Sequence, residues 1–163
     1  MPSRKIRHTK KATLARVARE QRALDRVVRR IGIAGLARPI PRFGARARIR
    51  RERWTAKDAL AHIVEWERQA LRALRHEPAD PRLRGRPIDR KNRVLYDRWH
   101  RRSGREVVAY ARSVHREVRA ALRALPDEYF TRTPRGPGWP NDLVGHPAGH
   151  RSRHLEALLA AKR

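Results

Sequence analysis

The stretch W-T-A-K-D-A-L-A-H-I-V-E-W-E, from Trp54 to Glu67, decides the fold. Thr55 belongs to the residue types that accept a hydrogen bond from the first turn of a helix. Asp58, three positions on, can return one to the cap and also suits the positive end of the helix dipole. Ala56, Leu60, Ile63 and Val64 then recur at steps of three and four, continued by Leu71 and Leu74, and they share one arc of a helix. An arc of that width has to be buried against other elements.

The flanking sequence supplies such elements, all of them helical. Upstream, Leu14, Val17, Gln21, Leu24, Val28 and Ile31 form one face of a helix predicted from about Lys10 to Arg30, ended by Gly32 and Gly35. Pro39, Pro41 and Gly44 break a long basic connection to the second helix. Downstream, Asn92, Tyr96, Trp99, Ser103, Val107 and Tyr110 open a stripe that continues to Leu125. It predicts one long third helix, from about Asp89 to Leu125, bent at Ser103-Gly104. Arg112, Arg116, Arg119 and Arg123 occupy its opposite face. Pro147 fits the first turn of a fourth helix that runs to about Ala160. No strand is convincing. The expectation is an all-α fold, a single four-helix bundle in one domain over residues 1–163, with residues 1–9 as a flexible basic arm.

The 163 residues carry a net charge of +26, and only six of the 42 basic residues are lysine. Basic residues spread through nearly every segment, without an RNP motif, a zinc finger or a Gly-rich phosphate loop. That composition points to non-specific polyanion or RNA binding, or to a solvated surface of biased composition. The Arg-rich first thirty residues have the composition of a transit peptide, but the reading favoured is a structural first helix. There is no cysteine, so disulfides, protein thiolates and Cys-ligated zinc are excluded. No stretch approaches the ~20 apolar residues that cross a bilayer. A cytoplasmic monomer or homodimer is the simplest expectation.

Chemistry concentrates in the histidines. His150 and His154 are four apart on a predicted helix and project from one face. His62 lies at the margin of the second helix's apolar arc, one turn before Trp66. Three imidazoles from two helices would hold a divalent metal with a position left open, the arrangement of a catalytic site. Ordinary half-buried histidines would give the same pattern. His146 is one turn before His150, but Pro147 assigns it to the cap, outside the regular helix. Glu67 falls inside the apolar arc, where a lone carboxylate is costly. It reads as half of a buried ion pair with an arginine, or as a catalytic base. Asn92 and Tyr96 face inward and, with Trp66 and His115, are candidates for lining a ligand pocket.

Taken together, Trp54–Glu67, I-D-R-K-N-R-V-L-Y (Ile88–Tyr96), S-x-H ending at His115, L-P-D-E-Y-F (Leu125–Phe130) and H-R-S-R-H-L-E-A-L (His150–Leu158) resemble the DinB-like four-helix proteins, most closely the ClbS/DfsB branch. The resemblance covers about Lys10 to Leu159. It implies an up-down-down-up bundle and a divalent site, Zn or Ni, at His62, His150 and His154. It further implies activation of water or a low-molecular-weight thiol cosubstrate against small reactive electrophiles, as in detoxification or self-resistance. Two departures accompany it: the charge is far higher than the family's, and N-D-L-V-G-H-P-A-G before His150 lacks an aromatic-rich approach. Two other classes remain open on sequence: a basic helical nucleic-acid- or polyanion-binding protein, and a non-catalytic bundle that sequesters a small molecule.

Overall fold

The computed structural model describes residues 5–40, 43 and 51–161. The expected loop through Pro41 and Gly44 lies outside the described residues apart from Phe43, as do the first four residues of the expected arm. The fold is all-α, and no strand forms among the described residues, where only isolated bridges join Ile6 to Arg135 and Pro39 to Thr55. Among the described residues, no helix is long and apolar enough to cross a membrane.

Helix α1 spans Lys10–Gly35. The Thr9 side chain accepts from the Ala12 N–H and caps it, and Gly32, at φ 74°, breaks the regular helix before Gly35. That left-handed conformation is one that glycine adopts without steric cost. Helix α2, Ala56–Leu74, starts on the anticipated capping box: Thr55 accepts from Asp58 N–H, and the Asp58 carboxylate accepts from Thr55 N–H.

The predicted third helix is two. Helix α3 spans Ile88–Trp99 and α4 spans Gly104–Ala124. The break has a local cause in Ser103, which forms a second capping box with Glu106 and starts a new helix. It also has a tertiary one. The Lys57 ammonium is buried and donates to the carbonyls of Trp99 and His100, which an unbroken helix would have used itself. Asp58 completes the joint by accepting from Lys57 and facing His100 Nδ1 at 2.9 Å.

Helix α5, Asp127–Thr131, and a 3₁₀ turn at Asn141–Leu143 lead to the C-terminal strut. That strut is α6, Gly145–His150, a π-helical turn over Arg151–Glu156, and α7, Ala157–Ala160. Helix α4 packs on α2 and α1, and α6 with the π turn packs on the same pair. Val17, Leu24, Leu60, Ile63, Val118 and Leu122 are among the fully buried residues between them. Each contributes about 1.5–3 kcal/mol of burial. The described part of the N-terminal segment, expected as a free arm, is held in place. Ile6 and Arg135 exchange backbone hydrogen bonds, and the buried His8 lies 3.0 Å from the Gly136 carbonyl and 2.7 Å from Arg16.

Candidate metal centre

Four histidines converge where α2 meets the C-terminal strut. His62 is almost fully buried on α2, and its Nε2 stands 3.2 Å from His146 Nε2. His150 lies one turn beyond His146, and one nitrogen each of His62, His146 and His150 fall within 4.8 Å of one another. His154 is buried but sits outside that group. Its ring stacks on His150 with centroids 5.4 Å apart and packs on Phe43 at 4.7 Å. Of the three predicted ligands, the structure therefore brings His62 and His150 together and sets His154 one layer further out, with His146 in the inner position.

Two local features explain this. Pro147 lies in the first turn of α6, where its missing N–H would have had no partner, so the helix already includes His146. The wider π turn starts directly after His150, so the spacing that superposes residues four apart in an α-helix no longer holds for His154. His146 was legible once the helix start was moved back two residues.

Electrostatics keep these rings neutral. Burial, reinforced by the neighbouring imidazoles His150, His146 and His154, holds His62 well below the usual histidine range. Burial and then His146, His154 and Arg153 lower His150 to about 3. Burial lowers His146 against the pull of Asp142, and burial with Arg153 lowers His154. Neutral imidazoles present lone pairs, which is what a cation requires.

The donor set fits a transition metal. Nitrogens about 2.05 Å from a tetrahedral ion stand about 3.3 Å apart, close to the 3.2 Å between His62 and His146. The Nδ1 atoms of His62, His146 and His150 are all buried without a hydrogen-bond partner. A cluster of nitrogen donors with so few partners of its own calls for an electrophile. Nitrogen donors suit zinc, nickel or copper better than magnesium or calcium.

A cavity of about 330 Å³ opens beside the imidazoles, lined by Phe43, Trp66, Ile88, Asn92 and Asp142 together with the three inner histidines. Trp66 Nε1 and Asn92 Oδ1 are buried there without partners, one a donor and one an acceptor. Lys91 Nζ lies 5.8 Å from the Trp66 ring centre. Two other pocket candidates lie elsewhere. Tyr96 stacks on His100 and accepts from Arg53 N–H through its hydroxyl. His115 stands 2.9 Å from Glu67 on the side of α2 that meets α4, and does not line this cavity.

Glu67 is fully buried and likewise absent from the cavity wall. Its partner is His115 rather than an arginine. Burial raises its pKa, partly offset by His115. Glu65, which the sequence reading passed over, is the carboxylate that α2 ties to its neighbours. It accepts from Arg98, from Trp99 Nε1 at 2.7 Å and from the Tyr110 hydroxyl.

A family model described as the DinB superfamily matches residues 44–158, a segment that contains α2, α4 and all four converging histidines. Comparison with curated proteins and with solved structures gives no significant match.

Proposed function

Since the chain belongs to the DinB superfamily, whose members often bind a metal, we propose that His62 and His150 hold a divalent transition metal, Zn or Ni, together with a third imidazole. The observation that carries this reading is the meeting of neutral, buried imidazoles beside a cavity with two unsatisfied polar atoms. Proximity favours His146 as the third ligand. The resemblance to the ClbS/DfsB branch favours His154, whose ring already stacks on His150 across the π turn.

Such an ion supplies Lewis acidity, which polarises an electrophile and makes a nucleophile available at neutral pH. The chain's own residues do the rest. Phe43 packs edge-on against His62 and tilted against His150, walling that side of the imidazoles from water. Trp66 Nε1 donates to a substrate acceptor and Asn92 Oδ1 accepts from a substrate donor, fixing its orientation in the cavity. Glu67 takes no part at the cavity, because its carboxylate is committed to His115.

The class of reaction that fits is hydrolysis of, or transfer of a low-molecular-weight thiol to, a small reactive electrophile. In the second case the thiol sulfur bonds to the electrophilic carbon and the leaving group departs with the thiol proton. Detoxification of this kind follows from the ClbS/DfsB resemblance.

Elemental analysis of untagged protein tests the reading. About one transition metal ion per chain is expected, lost in His62→Ala and in His150→Ala. Loss in His146→Ala alone identifies the inner triad, and loss in His154→Ala alone identifies the outer one. Metal content unchanged in all four variants would overturn the proposal.

A further inference from the structure

A second cavity is larger than the one beside the histidines. It is a groove of about 430 Å³ between α1 and α4, on the other side of the bundle. Its floor is apolar, formed by Leu24, Val28, Leu60 and Ala111. Its rim is basic. Arg22 and Arg29 come from α1, and Arg112, Arg116 and Arg119 from the α4 face that the sequence marked as a run of arginines. One carboxylate, Asp25, lies among them and is already paired with Arg29. Among the described residues no carboxylate pairs with Arg22, Arg112 or Arg116.

The floor also holds an unsatisfied donor. Gln21 is only 3% exposed, and its Nε2 is buried without a partner. Its orientation is fixed by chemistry. Arg119 Nη1 donates to Gln21 Oε1 at 2.8 Å, and a guanidinium has nothing to accept with, so the amide NH₂ is the end left free. An acceptor atom on a bound molecule would satisfy it.

Apolar floor, cationic rim and a buried amide donor together describe the complement of an amphipathic anion. We propose that the α1–α4 groove is a binding site for a small organic anion with an aromatic or alkyl body and a phosphate, sulfonate or carboxylate head. The body lies on Leu24, Val28 and Ala111. The head meets Arg112 and Arg116, which present planar forks suited to oxyanions. The volume is that of an ordinary small-ligand pocket. An RNA strand would engage the same arginines but has no use for a narrow apolar floor. His115 lines the groove, but the site is separate from the four converging histidines, and it stands or falls independently of the metal reading.

Isothermal titration of the full chain with 1-naphthyl phosphate tests it, with 1-naphthol and inorganic phosphate as the two halves of the probe. Saturable one-to-one binding is expected, with each half at least tenfold weaker. Arg112→Gln with Arg116→Gln, both on exposed side chains, should weaken binding at least tenfold. Gln21→Leu should weaken it at least threefold. His62→Ala should leave it within twofold, which separates this groove from the metal site. The proposal is overturned if inorganic phosphate binds as well as the naphthyl ester, or if His62→Ala abolishes binding. It is also overturned if exchanging Arg84 and Arg86 for Gln, on a distant loop, weakens binding as much as the groove variants do, since that marks a general polycation.

Discussion

Proton release on metal binding gives a quantitative reading of the histidine cluster. An imidazole of ordinary pKa, about 6.5, carries about 0.24 proton at pH 7 and about 0.76 at pH 6. Three such ligands would release about 0.7 proton per ion at pH 7 and about 2.3 at pH 6. In this protein burial depresses all of them, His150 to about 3 and His62 well below its usual value. His150 would then contribute less than about 0.01 proton at pH 6. Release from the three ligands together should stay below about one proton per ion at pH 6. Titration of Zn²⁺ into metal-free, untagged protein in two buffers of different ionisation enthalpy measures the number directly. Protons lost by imidazoles increase as pH falls, whereas protons lost by any other group taken up with the ion increase as pH rises. Comparing pH 6 with pH 7 separates the two. Release of two or more protons at pH 6 would refute the argument that burial holds these rings neutral.

The same depressed values make the metal-free protein lose stability in acid. The folded histidines resist protonation while unfolded ones accept it near pH 6.5, so stability present above that value falls as the pH drops from about 6.5 toward the folded pKa values. Urea midpoints at pH 7, 5.5 and 4.5 should decline in that order, and a flat profile would count against it. Ser103→Ala removes a side-chain cap on α4 and should cost about 1 kcal/mol, read from urea unfolding, without changing metal content. Leu122→Ala opens a cavity under a fully buried side chain of α4 and should cost about 2–5 kcal/mol in the same assay.

How far the sequence carried the structure differs by element. Helix α2 was legible in full because its cap, its apolar arc and its first histidine are local features, and the Thr55–Asp58 box formed as read. The division between α3 and α4 was missed, although its signal was present. Ser103 and Glu106 have the spacing of a capping box, but an apolar stripe running past them at helical steps masked it. The Lys57 contacts that complete the break come from another helix and leave no trace in a local pattern. At the histidines, sequence spacing pointed to the C-terminal strut and to His62 on α2, which the structure places side by side. What it could not supply was the π turn, because its rule assumes an unbroken α-helix. Trp66 and Asn92 line the cavity beside the histidines. Tyr96 does not line it and His115 lines the α1–α4 groove instead, because facing inward on a helix does not say which neighbour a side chain meets.

The bidentate contact between Arg151 and Glu20 sets a lower bound on any minimal fragment. Arg151 directly follows His150, and its Nε and Nη2 reach both oxygens of Glu20 on α1, at 2.6 and 3.0 Å. Glu20 precedes the segment matched by the superfamily. A fragment trimmed to residues 44–158 would strip a 26-residue helix from the hydrophobic centre and leave a half-buried guanidinium beside the histidines with only Glu156 to face. Val17, Leu24 and Ile31 would go with it, and the surfaces they now cover would be wetted. Expression trials guided by family boundaries alone should therefore yield aggregates, whereas material starting upstream of Thr9 should stay dispersed.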